Sequence, residues 1–353
     1  MPAKSRAAAA LLPEPQAPGL DQTKLASALR ATASHMREAW PGGTQASAPR
    51  IAVLLPCYNE TATIAGVIAG FRASLPGARI AVFDNASSDD TAARAREAGA
   101  EVFFERRKGK GNVVRRMFAD IDADVYLMAD GDGTYDAASA PLLVAMVAEQ
   151  GLDMAVGARQ NVQVDAHRSG HAMGNKLFNQ LYGALFGAEF GDIFSGYRAF
   201  SRRFVKSFPA LSSGFEIETE LSVHASQLKL PTGEISLPYG KRPEGSASKL
   251  RTFRDGWRIL KTFAFLLKET RPAVFFGGFA GLFALVAMVL AVPLVETFAE
   301  TGLVPRFPTA VACTGLMLMA AMSTMCGLIL DSLARSRVEQ KRMLYLALAD
   351  RRR

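Results

Sequence analysis

The stretch Asp124–Thr134, DVYLMADGDGT, carries a run of β-prone apolar residues into two aspartates one residue apart, set among glycines. The run reads as a buried strand, and Asp130-x-Asp132 falls at its carboxyl end. Outward from it, Ile51–Leu55, Arg79–Phe83, Glu101–Phe104 and Asp153–Gly157 have the same apolar character. Between them, Thr61–Ser74, Asp89–Ala98, Gly111–Ile121 and Ala137–Glu149 carry helical patterns. Alternation of this kind predicts an α/β domain, a mostly parallel sheet with helices on both faces, over about residues 51–250.

Ligands of such sheets sit at the carboxyl ends of the strands. The segments that follow four of the strands are polar: Pro56-Cys-Tyr-Asn-Glu60, Asp84-Asn-Ala-Ser-Ser-Asp-Asp90, Lys108-Gly-Lys-Gly-Asn112 and Asp130-Gly-Asp-Gly-Thr134. Each alone has a local explanation, Asn59 or Asp89 as a helix cap and Gly109 with Gly111 as a tight turn. Together they gather carboxylates on one rim. Two aspartates so close repel unless a cation lies between them, and hard oxygen ligands suit Mg2+ or Mn2+ bridging to substrate phosphates. Past this motif, Arg159, Arg168 and Arg198 offer guanidinium contacts to a phosphate. Glu216, Glu218 and Glu220 offer a base for a hydroxyl acceptor, with Glu216 and Glu220 on one helical face and Glu218 on another. His167 and His171, four apart, lack an evident third metal ligand.

The chain has 353 residues, a formal charge of +8, 49% hydrophobic and 21% charged residues, which excludes a disordered chain and a charged helical fibre. Three cysteines give no disulfide framework. The mean hydropathy of +0.11 is concentrated in the last quarter. Ala273–Val295 and Thr309–Leu330 are free of charge over spans long enough to cross a bilayer, which takes about 20 residues. They predict a transmembrane hairpin over 272–332. Lys261, Lys268 and Arg271 before it, and Arg335, Arg337, Lys341, Arg342 and Arg351–Arg353 after it, set both ends in the cytosol. The basic charge therefore reads as a membrane-surface signal, and no nucleic-acid motif accompanies it. Phe253–Lys268 has the spacing of an interfacial amphipathic helix within 251–271, and 333–353 reads as a basic tail. Gly277 and Gly281 fit a GxxxG contact, which would serve a homo-oligomer through the spans. Residues 1–50, rich in Ala, Pro and Ser without a secretion signal, read as a mobile extension.

In order, PCYNE, DNASSDDT, GKGNVVR, DGDGTY, GAR and SGYR resemble the inverting family 2 glycosyltransferases with the GT-A fold, and among them the polyprenyl-phosphate glycosyltransferases related to dolichyl-phosphate mannose synthase. The resemblance covers about Ile51–Lys249 and extends to the hairpin. It implies a nucleotide-diphosphate sugar donor bound by Pro56, Tyr58, Glu60, Asp84, Lys110, Arg115 and Asp130. It implies a Mg2+ or Mn2+ ion at Asp130, Asp132 and Thr134. It implies a polyprenyl phosphate acceptor met by Arg159, Arg168, Arg198, Arg242, Ser248 and Lys249, the last three in an RxxGxSK-like stretch. Catalytic roles fall to Asp132, Arg159, Arg168 and Glu220. The enzyme would then work at the cytosolic face of the inner membrane. A lipid phosphate is already an anion at pH 7 and attacks the anomeric carbon without a base. Three rival readings are weaker. A haloacid-dehalogenase phosphatase would place its DxDGT motif at the start of the domain, whereas three strand-helix units precede it here. A silent nucleotide-binding module would not need Asp132 and the arginines. A processive polysaccharide synthase would carry QxxRW and more spans. A membrane glycosyltransferase with a hydroxyl acceptor is the alternative within the family.

Overall fold

The computed structural model describes residues 48–160, 190–214, 216–240, 261 and 264–348. Seven strands form one sheet: β1 (Ile51–Cys57), β2 (Arg79–Asp84), β3 (Glu101–Phe104), β4 (Val125–Met128), β5 (Met154–Arg159), β6 (Arg198–Ser201) and β7 (Thr232–Leu237). Their order is β3-β2-β1-β4-β6-β5-β7. Only β6 runs against its neighbours, pairing antiparallel with β4 and β5. The five strands expected from sequence are present to within a few residues. β6 and β7 were not foreseen. β6 is four residues long and opens on an arginine, which defeats a hydrophobic reading.

Alternate residues of the inner strands feed two cores. Ala52, Leu54, Tyr126 and Met128 pack on one face under α3 (Lys110–Asp120), α5 (Arg202–Ser207) and α6 (Ile217–Leu228). Val53, Leu55, Leu127 and Val125 pack on the other under α1 (Ile64–Ser74), α2 (Thr91–Glu97) and α4 (Ala140–Ala148). The central strands are buried on both faces, as a parallel sheet requires. Since β1, β2, β4 and β5 point the same way, their carboxyl ends share one rim.

Two helices follow. α7 (Pro272–Thr301) starts on a proline, contains Pro293, and stops at Gly302, whose φ of 68° is the left-handed conformation that ends helices. α8 (Phe307–Ala347) runs unbroken for 41 residues. Both are long and apolar enough to cross a membrane, and their side chains, such as Leu282, Val289 and Met322, are exposed along the hairpin. Where they touch, a Cβ at Gly327 would sit 3.2 Å from that of Phe276, whereas Gly277 and Gly281 meet nothing within 4 Å. The GxxxG pair thus faces away from the hairpin contact.

The segment after the second span differs from the expected tail. α8 continues and docks on the α/β unit, with Val338 against the core. The Tyr345 hydroxyl donates to Asp153 at 2.6 Å, and the Arg203 guanidinium lies 4.0 Å above its ring. Arg342 donates to the Leu228 carbonyl at 2.6 Å. Asp153 precedes β5, so Tyr345 reaches the rim opposite the strand carboxyl ends. The N-terminal extension and most of the expected interfacial helix lie outside the described residues. Tyr345→Phe leaves the buried Asp153 carboxylate one donor short, which costs about 1–3 kcal/mol. Its thermal midpoint should fall by several degrees, with proteolysis appearing first within 335–347.

Candidate active site

The rim is assembled by loops that bind one another. After β1, the Asn59 amide N–H donates to Ser87 Oγ at 2.9 Å and its side-chain oxygen accepts from the Ser88 amide at 2.8 Å. The Glu60 amide donates to Thr91 Oγ1 at 2.8 Å, and that of Thr61 to Asp89 at 3.2 Å. Asn59 and Ala86 hold φ of 56° and 57°, left-handed values that non-glycine residues adopt at a cost. After β2, Asn85 donates to the Glu105 and Arg107 carbonyls and accepts from the Gly109 amide at 2.7 Å. Three polar segments read separately in the sequence therefore form one surface, with Lys108 lying 5.1 Å from the centre of the Tyr58 ring.

At its centre Lys110, the first residue of α3, places its ammonium 2.5 Å from Asp130 and 2.6 Å from Glu218. The lysine side chain is 10% exposed and that of Glu218 5%. Burial alone would discharge Lys110, but the charges of Asp130 and Glu218 outweigh it and hold its pKa above the ordinary value. Burial pushes the Glu218 carboxyl up against the pull of Lys110. The other Glu218 oxygen, Oε2, is buried without a hydrogen-bond partner among the described residues. Gly196 backs this cluster: a Cβ there would stand 3.0 Å from both Asp130 Oδ2 and Lys110 Nζ. Its amide N–H donates to the Tyr135 hydroxyl at 2.8 Å.

Asp132 is buried beside this cluster, one Oδ1 accepting from the Thr134 amide at 3.1 Å and hydroxyl at 2.6 Å. Thr134 thus orients Asp132, and its hydroxyl oxygen keeps its lone pairs beside that carboxylate. Asp84 is likewise buried, and its Oδ1 has no partner among the described residues. No group of three His, Cys, Asp or Glu among the described residues surrounds a metal site on its own. Asp130 and Asp132 nevertheless fit Mg2+ or Mn2+, which usually take one or two carboxylates and fill their shell with water and phosphate oxygens.

Several residues assigned from sequence stand elsewhere. Arg198 is fully buried and donates to the Ser195 and Ile193 carbonyls and to Ser222 Oγ, so it folds the 192–197 loop rather than meeting a phosphate. Arg115 donates to the carbonyls of Ala210, Leu211 and Ser212. Glu220 accepts from the amides of Leu211 and Ser212. Both clamp a loop that lies against the 109–111 turn, where a Cβ on Gly109 or Gly111 would collide with the Ser213 or Ser212 carbonyl. The glutamate that enters the site is Glu218, on the other helical face. Pro56, Tyr58 and Glu60 lie at the rim. Arg159 does as well, closing β5 in a paired contact with Asp192. Arg168, Arg242, Ser248, Lys249, His167 and His171 lie outside the described residues. Asp192 and Asn85 went unassigned, although each lies in or beside a motif recognised in the sequence.

Lys110→Met leaves two carboxylates facing each other without a cation, a change that costs about 3–5 kcal/mol for buried pairs. Its thermal midpoint should drop sharply, and adding Glu218→Gln should recover part of the loss, which independent sites would not allow.

The comparisons with known proteins agree with this geometry. The model of "Glycosyl transferase family 2" matches residues 52–208. "Glycosyltransferase AglJ" of Haloferax volcanii is 34% identical over 234 residues, covering 65% of this chain and 77% of the relative. "Protein RfbJ" of Shigella flexneri is 56% identical over 121 residues, 34% of this chain and 94% of the relative. Among solved structures, glucosyl-3-phosphoglycerate synthase from Mycobacterium tuberculosis superposes with a TM-score of 0.53 at 23% identity, covering 72% of this chain and 85% of that one. With that family model and a relative 34% identical over most of its length, the chain belongs to glycosyl transferase family 2.

Proposed function

We propose that the protein transfers a sugar, with inversion, from a nucleotide-diphosphate sugar to a polyprenyl phosphate at the cytosolic face of a membrane. The observation that carries this reading is the union, in one compact unit, of a carboxylate rim at the strand ends with a charge-free hairpin whose second helix is docked on the same domain. A hairpin docked on the domain holds the rim beside the bilayer, which suits an acceptor whose phosphate sits at the membrane surface.

The donor nucleoside lies between the loops after β1 and β2. There the unpartnered Asp84 Oδ1 accepts a hydrogen bond from the base or ribose, and Tyr58 offers a ring. The diphosphate lies over Asp130 and Asp132. Mg2+ or Mn2+, when bound there, neutralises charge on the departing diphosphate. Crystals of the mycobacterial synthase contain Mn2+ with UDP-glucose, or Mg2+ with UDP, which supports a divalent ion here. Arg159 holds the acceptor phosphate, with Arg168 from the following segment. A phosphate oxygen attacks the anomeric carbon as the bond from that carbon to the diphosphate oxygen breaks. The electron pair leaves with the nucleoside diphosphate, and no proton has to move. That economy suits the residues: Glu220, expected from sequence as a base, has both oxygens on backbone amides and is not placed to deprotonate a hydroxyl.

Membranes containing the protein, given radiolabelled nucleotide sugars and polyprenyl phosphate, should transfer label into an organic-extractable product that mild acid releases. Label appearing only in water-soluble glycan, or only as free sugar, overturns the acceptor. Asp84→Asn should weaken nucleotide binding by about tenfold, as for the loss of a charge-assisted hydrogen bond, while leaving stability unchanged or higher because an unpartnered buried carboxylate is removed. Calorimetry and thermal melting read the two effects separately.

A further inference from the structure

Arg159 is locked more tightly than the binding of a phosphate requires. Its Nε donates to Asp192 Oδ2 at 2.7 Å and its Nη2 to Oδ1 at 2.9 Å, a two-pronged pair, and its backbone N–H reaches the same Oδ2 at 3.2 Å. The Tyr239 ring centre lies 5.6 Å from the guanidinium carbon. Asp192 is itself fixed. Its Oδ1 accepts from the Phe194 amide, and Glu234 on β7 accepts from the amides of Gly191 at 2.9 Å and Asp192 at 3.3 Å. Burial pushes the Asp192 carboxyl up, but the hydrogen bonds and charge of Arg159 prevail and keep it below the ordinary value.

Two of the five guanidinium N–H donors are therefore engaged, both on the Nε–Nη2 edge, and Nη1 has no partner among the described residues. The pair borders the central cluster through two rings. Tyr239 lies 5.4 Å from Tyr135, whose hydroxyl binds the Gly196 amide behind Asp130 and Lys110. An arginine free to rotate offers a phosphate its two-pronged edge. With its Nε–Nη2 edge on Asp192, this one keeps the Nη1–Nη2 end for a phosphate, in a direction that Asp192 sets, and with its charge compensated.

We propose that Asp192 is the positioning residue of the acceptor subsite, holding Arg159 so that the guanidinium meets the acceptor phosphate through its Nη1–Nη2 end. The inference rests on the phosphate-acceptor reading above. Compensation by Asp192 suits a reaction whose acceptor, a phosphate monoester, carries more negative charge than its diester product, because a guanidinium with its charge half spent holds the first without trapping the second.

Full-length Asp192→Asn, in detergent with polyprenyl phosphate as acceptor, tests this. Acceptor KM should rise by about tenfold or more, as for loss of a charge-assisted contact geometry. Donor KM and kcat at saturating acceptor should stay within about twofold, while the thermal midpoint falls because the largely buried Arg159 loses its counter-charge. Asp192→Glu, which keeps the charge, should recover part of the acceptor KM. Glu234→Ala, which loosens the backbone under Asp192, should raise acceptor KM in the same direction by a smaller factor, and it serves if Asp192→Asn fails to fold. An acceptor KM that is unchanged or lower in both Asp192→Asn and Glu234→Ala overturns the inference. Equal rises in donor and acceptor KM also overturn it, because they mark a merely structural role. Wild-type protein that fails to use polyprenyl phosphate overturns the acceptor reading and this inference with it, whereas wild-type transfer with an unmoved acceptor KM in the variants removes this inference alone.

Discussion

A buried ammonium between two carboxylates organises the site. Lys110 opens α3, Asp130 follows β4, and Glu218 sits in the first turn of α6, so one cation ties together three elements far apart in the chain. Carboxylates placed this close in a poorly solvated rim would repel by several kcal/mol without it. The arrangement also constrains its surroundings. Gly196 has to lack a side chain, and the 210–214 loop has to press on the glycines flanking Lys110, held there by Arg115 and Glu220. Even with Lys110 in place, Asp84, Asp130, Asp132 and Glu218 exceed the positive charge at the rim's centre. A ligand carrying a divalent cation fits that excess, and a bare diphosphate does not.

Much of the sheet was legible because apolar strands and amphipathic helices differ in period, and because polar segments recur at the strand ends. What escaped has physical reasons. β6 is short, and Arg198 inside it resembles a ligand-binding residue in sequence although its guanidinium is fully satisfied by the protein. Charge type does not say which way a side chain faces. Glu218 and Glu220 lie two residues apart on one helix, so exactly one face could be chosen only once the packing of α6 on the sheet was known. The same holds for Arg115, whose helix α3 directs it to a loop instead of a ligand. Asp192 escaped because a carboxylate whose work is to aim an arginine leaves no pattern of its own.

The hairpin was legible from length and charge alone, but its coupling to the domain was not. Past the apolar span α8 turns from a charge-free surface to one bearing Arg335, Lys341 and Arg342, which reads as a solvated tail. In the structure the same helix keeps one face for the domain, and Tyr345 and Arg342 fasten it there. A helix rises about 1.5 Å per residue, so the segment from Asp331 to Tyr345 is a rod of roughly 20 Å, comparable to the height of the sheet. The domain is thereby joined to its hairpin by a stiff connection, which keeps the orientation of the rim to the hairpin constant.

The central claim is that the rim is charged to take a divalent cation and a nucleoside diphosphate together. Isothermal titration of the purified protein with UDP and GDP, in Mn2+ or Mg2+ and again in excess chelator, measures it directly. The account predicts that at least one of the two binds about tenfold or more tightly with the metal present, in line with one ion bridging carboxylate and phosphate oxygens. Equal affinity in metal and in chelator would contradict it.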